Sequence, residues 1–161
     1  MYQQKNPERP KFTFDCTERF HELCDNQGPT LTFVRANYGY IFGGFNPVGW
    51  QNSFSYSESS EAYLFSVSDT KGRKPAKCPV KQQKTQFAIK QNGDTYSPAF
   101  GEANTSDLFI AFKNPAQSYS NLGNCYSMPK GMEQLDASEF LAGRKDDWLI
   151  EEIEVWAVNI N

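Results

Sequence analysis

From Thr30 to its end the sequence repeats one pattern: short runs with apolar or β-branched residues at alternate positions, cut by Gly, Pro, Asn and Asp. A period of two places successive side chains on opposite faces of a sheet, whereas a helix needs a period near 3.6. The pattern therefore confines most of the chain to β structure. Residues 30–36 (TLTFVRA) read as a strand, Asn37-Tyr38-Gly39 as a turn, and residues 40–45 as the returning strand. Gly43-Gly44 inside that return implies a bulge or a close approach by another group, since glycine otherwise weakens a strand. Residues 62–68 (AYLFSVS) are apolar on both alternating faces, the expectation for a central strand covered on both sides. Further strands are expected at 85–90 and 107–112, with a turn at Gln91-Asn92-Gly93-Asp94 between them. In the last run Ile153, Val155 and Ala157 alternate with Glu152, Glu154 and Trp156, a half-buried strand whose removal would expose a sheet edge.

The segment before Thr30 differs. Cys16, Phe20, Leu23 and Cys24 form a stripe at helical spacing, and Asp15 with Glu18 has the order of a capping box. Gly28-Pro29 ends that helix. Residues 1–11 hold Pro7, Pro10 and charges without periodicity and read as a disordered lead to a domain over 12–161. Residues 69–84 read as a basic, Pro-containing loop, and 114–144 as loop-rich. Aromatic residues make up 15% of the chain, enough apolar area to offset the entropy of ordering it. These elements specify an all-β fold bordering on α+β: a two-sheet antiparallel β-sandwich with a few short peripheral helices.

A net charge of −3 argues against indiscriminate binding to nucleic acid or anionic membrane. The charge is unevenly placed. Residues 71–84 carry Lys71, Arg73, Lys74, Lys77, Lys81 and Lys84 and no acid, whereas 133–154 carry eight acids against Arg144 and Lys145. Lys71, Arg73, Lys74 and Lys77 on one side, and Asp146, Asp147, Glu151, Glu152 and Glu154 on the other, are the candidate contacts for a protein partner. No apolar run reaches the ~18 residues of a membrane span, and the N-terminus lacks the apolar core of a signal peptide. The chain is thus expected in the cytoplasm with Cys16, Cys24, Cys78 and Cys125 as reduced thiols.

Chemistry finds little footing. His21 is the single histidine, lies off the apolar stripe, and is expected at the surface or its boundary. Residues 39–44 (GYIFGG) lack the form of a phosphate loop, and Asp136, Glu139, Asp146 and Asp147 lack the order of a calcium loop. The four cysteines form no CxxC pair for zinc. No cofactor, metal or catalytic group is expected, and the chain reads as a binding module rather than an enzyme. Two other readings stand beside it: a redox-responsive protein using Cys24 or Cys125, and a structural component of a larger assembly.

Five segments in order resemble the TLDc domain family over residues 12–158. Residues 24–30 (CDNQGPT) followed by 39–45 resemble its helix-to-strand opening, with Gly28, Pro29, Gly43 and Gly44. Trp50, residues 53–56, and 62–66 with Phe65 are similar to its aromatic turn and following strand. Residues 98–101 with Gly101, followed by Asp107-Leu108, resemble its FGxG…DL segment, although the glycine cluster is reduced here to Gly101-Glu102-Ala103-Asn104. Residues 120–123 are similar to the loop of small residues that follows, and 152–156 with Trp156 to its closing strand. The resemblance implies a sandwich of two antiparallel sheets. It also implies roles in oxidative-stress resistance and in binding and regulating the vacuolar proton-pumping ATPase, at the cytosolic face of vacuolar or endolysosomal membranes. It implies no catalytic residues. Trp50, Phe65, Leu108 and Trp156 would fill the core or cover its rim.

Overall fold

A computed structural model describes residues 17–93, 98–133 and 135–159. The elements are α1 (Thr17–Cys24), β1 (Thr30–Ala36), β2 (Ile41–Asn46), β3 (Tyr56–Ser57), β4 (Tyr63–Ser68), β5 (Ala76–Pro79), β6 (Ile89–Lys90), β7 (Ala99–Phe100), β8 (Leu108–Phe109), β9 (Tyr119–Ser120) and β10 (Ile150–Ala157). They form two five-stranded antiparallel sheets, ordered β10-β1-β2-β4-β5 and β3-β6-β7-β8-β9. The expected all-β sandwich with few short helices is what the chain adopts.

The first sheet follows the alternation read from the sequence. Val34, Phe42, Leu64 and Ile153 point inward and are buried against the second sheet. Phe42 meets Trp148 edge-to-face at 5.4 Å, and Trp50 meets Phe100 at 5.6 Å. Gly44 also faces inward, where an added Cβ would lie 2.4 Å from the Phe100 ring. The glycine pair therefore marks a close approach, as expected. The register irregularity of β2 falls instead between Ile41 and Phe42.

The second sheet was legible only in part, since four of its strands are paired over two residues each and the fifth over the same length. The expected strand over 85–90 is a 3-10 turn at Gln82–Phe87 followed by β6. Residues 82–87 lack alternation, and the Thr85 hydroxyl donates to Glu58 at 3.0 Å rather than facing a neighbouring strand. The expected strand over 107–112 pairs only at β8. Ile110, Ala111 and Phe112 are all buried; the Ile110 amide still donates to the Pro98 carbonyl at 3.1 Å, but the Ala111 amide turns to Ser118 Oγ at 2.9 Å. The expected loop over 69–84 contains β5, an edge strand whose Pro79 is tolerated at its end.

Asp107 organises the turn after β9. Its carboxylate is fully buried and accepts backbone N–H groups from Gly123 (2.7 Å), Asn124 (3.0 Å), Cys125 (2.8 Å) and Tyr126 (3.1 Å). Gly101 makes room for it: its φ is +101°, and an added Cβ would lie 2.7 Å from Asp107 Oδ2.

α1 closes one end of the sandwich. Phe20 is buried and contacts Trp50 and Phe112 edge-to-face at 5.6 and 5.8 Å. Asp15, Cys16 and the lead over 1–11 lie outside the described residues, as does Asp94 of the expected turn. His21 is not the expected surface or boundary residue. It is buried, with Nδ1 2.9 Å from Asp25 Oδ1 and Nε2 2.7 Å from the Gly93 carbonyl oxygen, and so ties α1 to the chain after β6. A polar ring so enclosed needs both partners.

Candidate functional site

The outward face of the first sheet is made by the alternate residues that the core leaves over. Strand register arranges them in two rows. Trp156 lies opposite Leu31, Leu31 opposite Phe45, Phe45 opposite Tyr63, and Tyr63 opposite Pro79. Glu154, Phe33, Gly43, Phe65 and Lys77 follow one another in the same way. Each row thus crosses the sheet from β10 to β5.

Gly43 allows the second row to close. The Phe33 and Phe65 rings meet across it at 5.1 Å, and an added Cβ would fall 2.8 Å from Phe65 Cζ and 1.8 Å from the Thr32 carbonyl oxygen. Phe45 and Tyr63 pack at 5.1 Å in the neighbouring row. Leu31, Phe33, Tyr63, Phe65 and Trp156 remain half-buried, and Val67 is 40% exposed. The strand over 62–68 is therefore not covered on both sides as expected. Its inner face is covered by the second sheet, while on its outer face Tyr63 and Phe65 stay half-buried and Val67 is exposed. Phe65 and Trp156 likewise stand on the outer face, whereas Trp50 and Leu108 are buried.

The two ends of the face carry opposite charge. On β5, Lys77 Nζ lies 3.9 Å from the Tyr63 ring centroid, a cation–π contact. On β10, the Trp156 indole N–H donates to Glu154 Oε2 at 3.0 Å. A groove of about 590 Å³ runs beside it, lined by Leu31, Phe33, Glu154, Trp156 and Val158. Arg35 pairs with Glu151 at 3.4 Å and Glu152 at 3.3 Å at the adjoining register position.

The acidic and basic candidates are not brought together. Glu151, Glu152 and Glu154 lie on β10 and Lys77 on β5, the opposite edges of a five-stranded sheet. Four interstrand steps of about 4.8 Å separate them by about 19 Å. Asp146 and Asp147 lie in the loop entering β10, with Asp147 paired to Arg144 at 3.6 Å. Lys71, Arg73 and Lys74 precede β5. Lys71 bonds Glu139 at 2.7 Å, and Arg73 pairs with Asp69. Burial alone would raise the Asp69 carboxyl, but hydrogen bonds and charge from Arg73 outweigh it and hold the group below the usual range. Much of the basic loop is thus neutralised within its own neighbourhood.

The described thiols, Cys24, Cys78 and Cys125, are poorly placed for nucleophilic chemistry. Burial pushes the Cys24 thiol up to about 12, with Asp25 adding to it, and Cys78 up to about 12, with Asp107 adding to it. Burial also raises Cys125, which is enclosed in the core. A reactive cysteine needs the opposite shift. Among the described residues, no group of three or more His, Cys, Asp or Glu side chains is placed to hold a metal ion, and no helix is long and apolar enough to cross a membrane.

The outward aromatic face was not singled out from the sequence. Its signal was present: two-sided apolarity over 62–68 beside a glycine in the paired strand.

The family model for the TLDc domain matches residues 16–159. The chain is also similar to MTOR-associated protein MEAK7 of Danio rerio, 41% identical over 44 residues, which are 27% of this chain and 10% of that protein. It is 37% identical over 54 residues to MTOR-associated protein MEAK7 of Xenopus laevis, covering 32% of this chain and 12% of that protein. The matched segments thus span about a tenth of those relatives' length. With the family match covering 16–159 and two antiparallel sheets in place, the chain belongs to the TLDc domain family, a family of protein-interaction modules.

Proposed function

We propose that this domain is a non-catalytic regulatory module that docks on a protein partner through the outward face of its first sheet. The observation that supports this most is the half-buried aromatic surface over Gly43, flanked by acid on β10 and base on β5. Apolar area of this kind, rimmed by charge, is typical of a docking surface. Asp146, Asp147, Glu151, Glu152 and Glu154 would steer a basic patch of the partner to one edge. Lys71, Arg73, Lys74 and Lys77 would steer an acidic patch to the other. The vacuolar proton-pumping ATPase is the first partner to test, with a role in oxidative-stress resistance and a place at the cytosolic face of vacuolar or endolysosomal membranes reached through it. The relatives' name supplies a second partner, an MTOR-containing complex.

Pull-down of the purified pump, together with ATP hydrolysis by the reconstituted pump, tests the first partner. Binding that weakens on reversal of Glu151 and Glu154, with a reduced salt dependence, supports the reading. Neither binding nor a change in hydrolysis removes the pump as partner. Binding that is indifferent to both Phe65→Lys and the acid reversals removes this face.

A further inference from the structure

The two rows of the outward face carry more information than exposed apolarity does, because their ends are complementary to each other. We infer that this face pairs with the same face of a second copy, about a two-fold axis running along β2. The inference takes its choice of face from the docking reading above and shares nothing else with it.

Rotation about an axis parallel to the strands reverses the order of strands and leaves positions along them unchanged. The β10 end of one copy therefore comes to lie over the β5 end of its partner. Glu154 of one copy then faces Lys77 of the other, and the pair occurs twice. In the neighbouring row, exposed Pro79 comes over Trp156 and enters the groove between β1 and β10. Phe33 meets Phe65, and the Phe33–Phe65 ring pair that covers Gly43 in one copy lies against the same pair of the other at the axis. Such an isologous contact needs one self-complementary patch. Facing sheets pack about 10 Å apart, a gap that a lysine and a glutamate span together. A two-fold axis running across the strands would instead lay β10 over β10 and put Glu154 against Glu154.

The face measures roughly 24 by 17 Å, from about 4.8 Å per strand and about 3.3 Å per residue, or about 400 Å² per copy. Two copies bury about 800 Å², short of the ~1,200 Å² of stable complexes, so the pair is weak and reversible. Formation of the pair covers the docking face, which makes self-association a competitor of the partner.

Sedimentation equilibrium on the full chain from about 10 μM to 1 mM reads this out. Wild type should rise from 18.3 kDa toward twice that mass. Lys77→Glu and Glu154→Lys should each weaken the pair by about tenfold or more, because each turns both contacts repulsive. A mixture of these two variants should recover the mass of wild type, since every contact between unlike copies is again of opposite sign. The double variant in one chain should recover it as well. Circular dichroism and thermal melting check that each variant folds. A wild type that stays at 18.3 kDa throughout overturns the inference, as does a dimer indifferent to the single reversals or a mixture that stays apart. Partner pull-down with the same variants is scored separately, so a monomeric chain that still needs Phe65 to bind its partner sinks self-association and leaves the docking face standing.

Discussion

Asp107→Ala should lose little stability at neutral pH and more in mild acid, the reverse of the usual behaviour of a carboxylate bound by several donors. The side chain accepts four backbone N–H groups, of which the bonds from Cys125 and Tyr126 are buried while those from Gly123 and Asn124 are part-buried. Leaving two buried donors without partners costs about 2–6 kcal/mol, centred near 4. Against this stands the cost of holding a charge in the core. Burial pushes the Asp107 carboxyl up to about 6, although its four N–H partners pull it down. A folded-state value about two units above the unfolded one penalises the ionised protein by about 3 kcal/mol at pH 7.5, and the alanine variant escapes that penalty. The expected net loss at pH 7.5 is therefore about 1 kcal/mol. A raised folded value means that the group's stability is complete below the unfolded value and is lost as pH rises through 6. Lowering the pH from 7.5 to 5.0 should thus stabilise wild type, relative to the variant, by about 1.4 kcal/mol. Urea titrations of both proteins at the two pH values measure the gap from midpoints and slopes. A gap that stays constant or narrows on acidification refutes the reasoning, and shows that the four N–H groups outweigh burial.

Gly43→Ala should destabilise by about 3 kcal/mol or more, because its Cβ would strike the Thr32 carbonyl oxygen; Gly28→Ala, with open space around it and φ of +76°, should lose only about 1–2 kcal/mol. Thermal melts of the two variants rank them, and equal losses would discard the close-approach argument. His21→Ala should cost about 2–3 kcal/mol in chemical denaturation, since it strips the Gly93 carbonyl and Asp25 of a shared partner; a loss under 0.5 kcal/mol would mean that water replaces the ring freely. Native-state thiol labelling at pH 8 should be slower at Cys24 and Cys78 than at an exposed cysteine by on the order of a thousandfold, as their thiolate fractions dictate. Fast labelling of Cys24 would revive a redox role for it.

The longer strands of the first sheet were legible because one face of each is buried and the other is not. TLTFVRA matches β1 residue for residue, and the closing strand differs from β10 only at its ends. The second sheet was hard to read because two paired residues carry no period, and burial there comes from every side, as at Ile110, Ala111 and Phe112. Asp107 was visible as a motif residue, yet its work was hidden, since backbone N–H groups leave no mark in a sequence. His21 was misjudged for a related reason: its partners are a backbone carbonyl far along the chain and an Asp one helical turn away. The docking face was spelled out in residues 62–68, but a pattern that asks for cover on two sides does not say who supplies the second cover.

Gly43 and Gly44 give the fold an unusually thin partition. Above it rest the rings of Phe33 and Phe65, and below it rests the ring of Phe100, which touches Trp50. A single layer of peptide, with no side chain on either side, divides the outer surface from the interior. Pressure applied to the outer rings has only that layer to cross before it reaches the tryptophan, so the fluorescence of Trp50 is a built-in reporter of what settles outside.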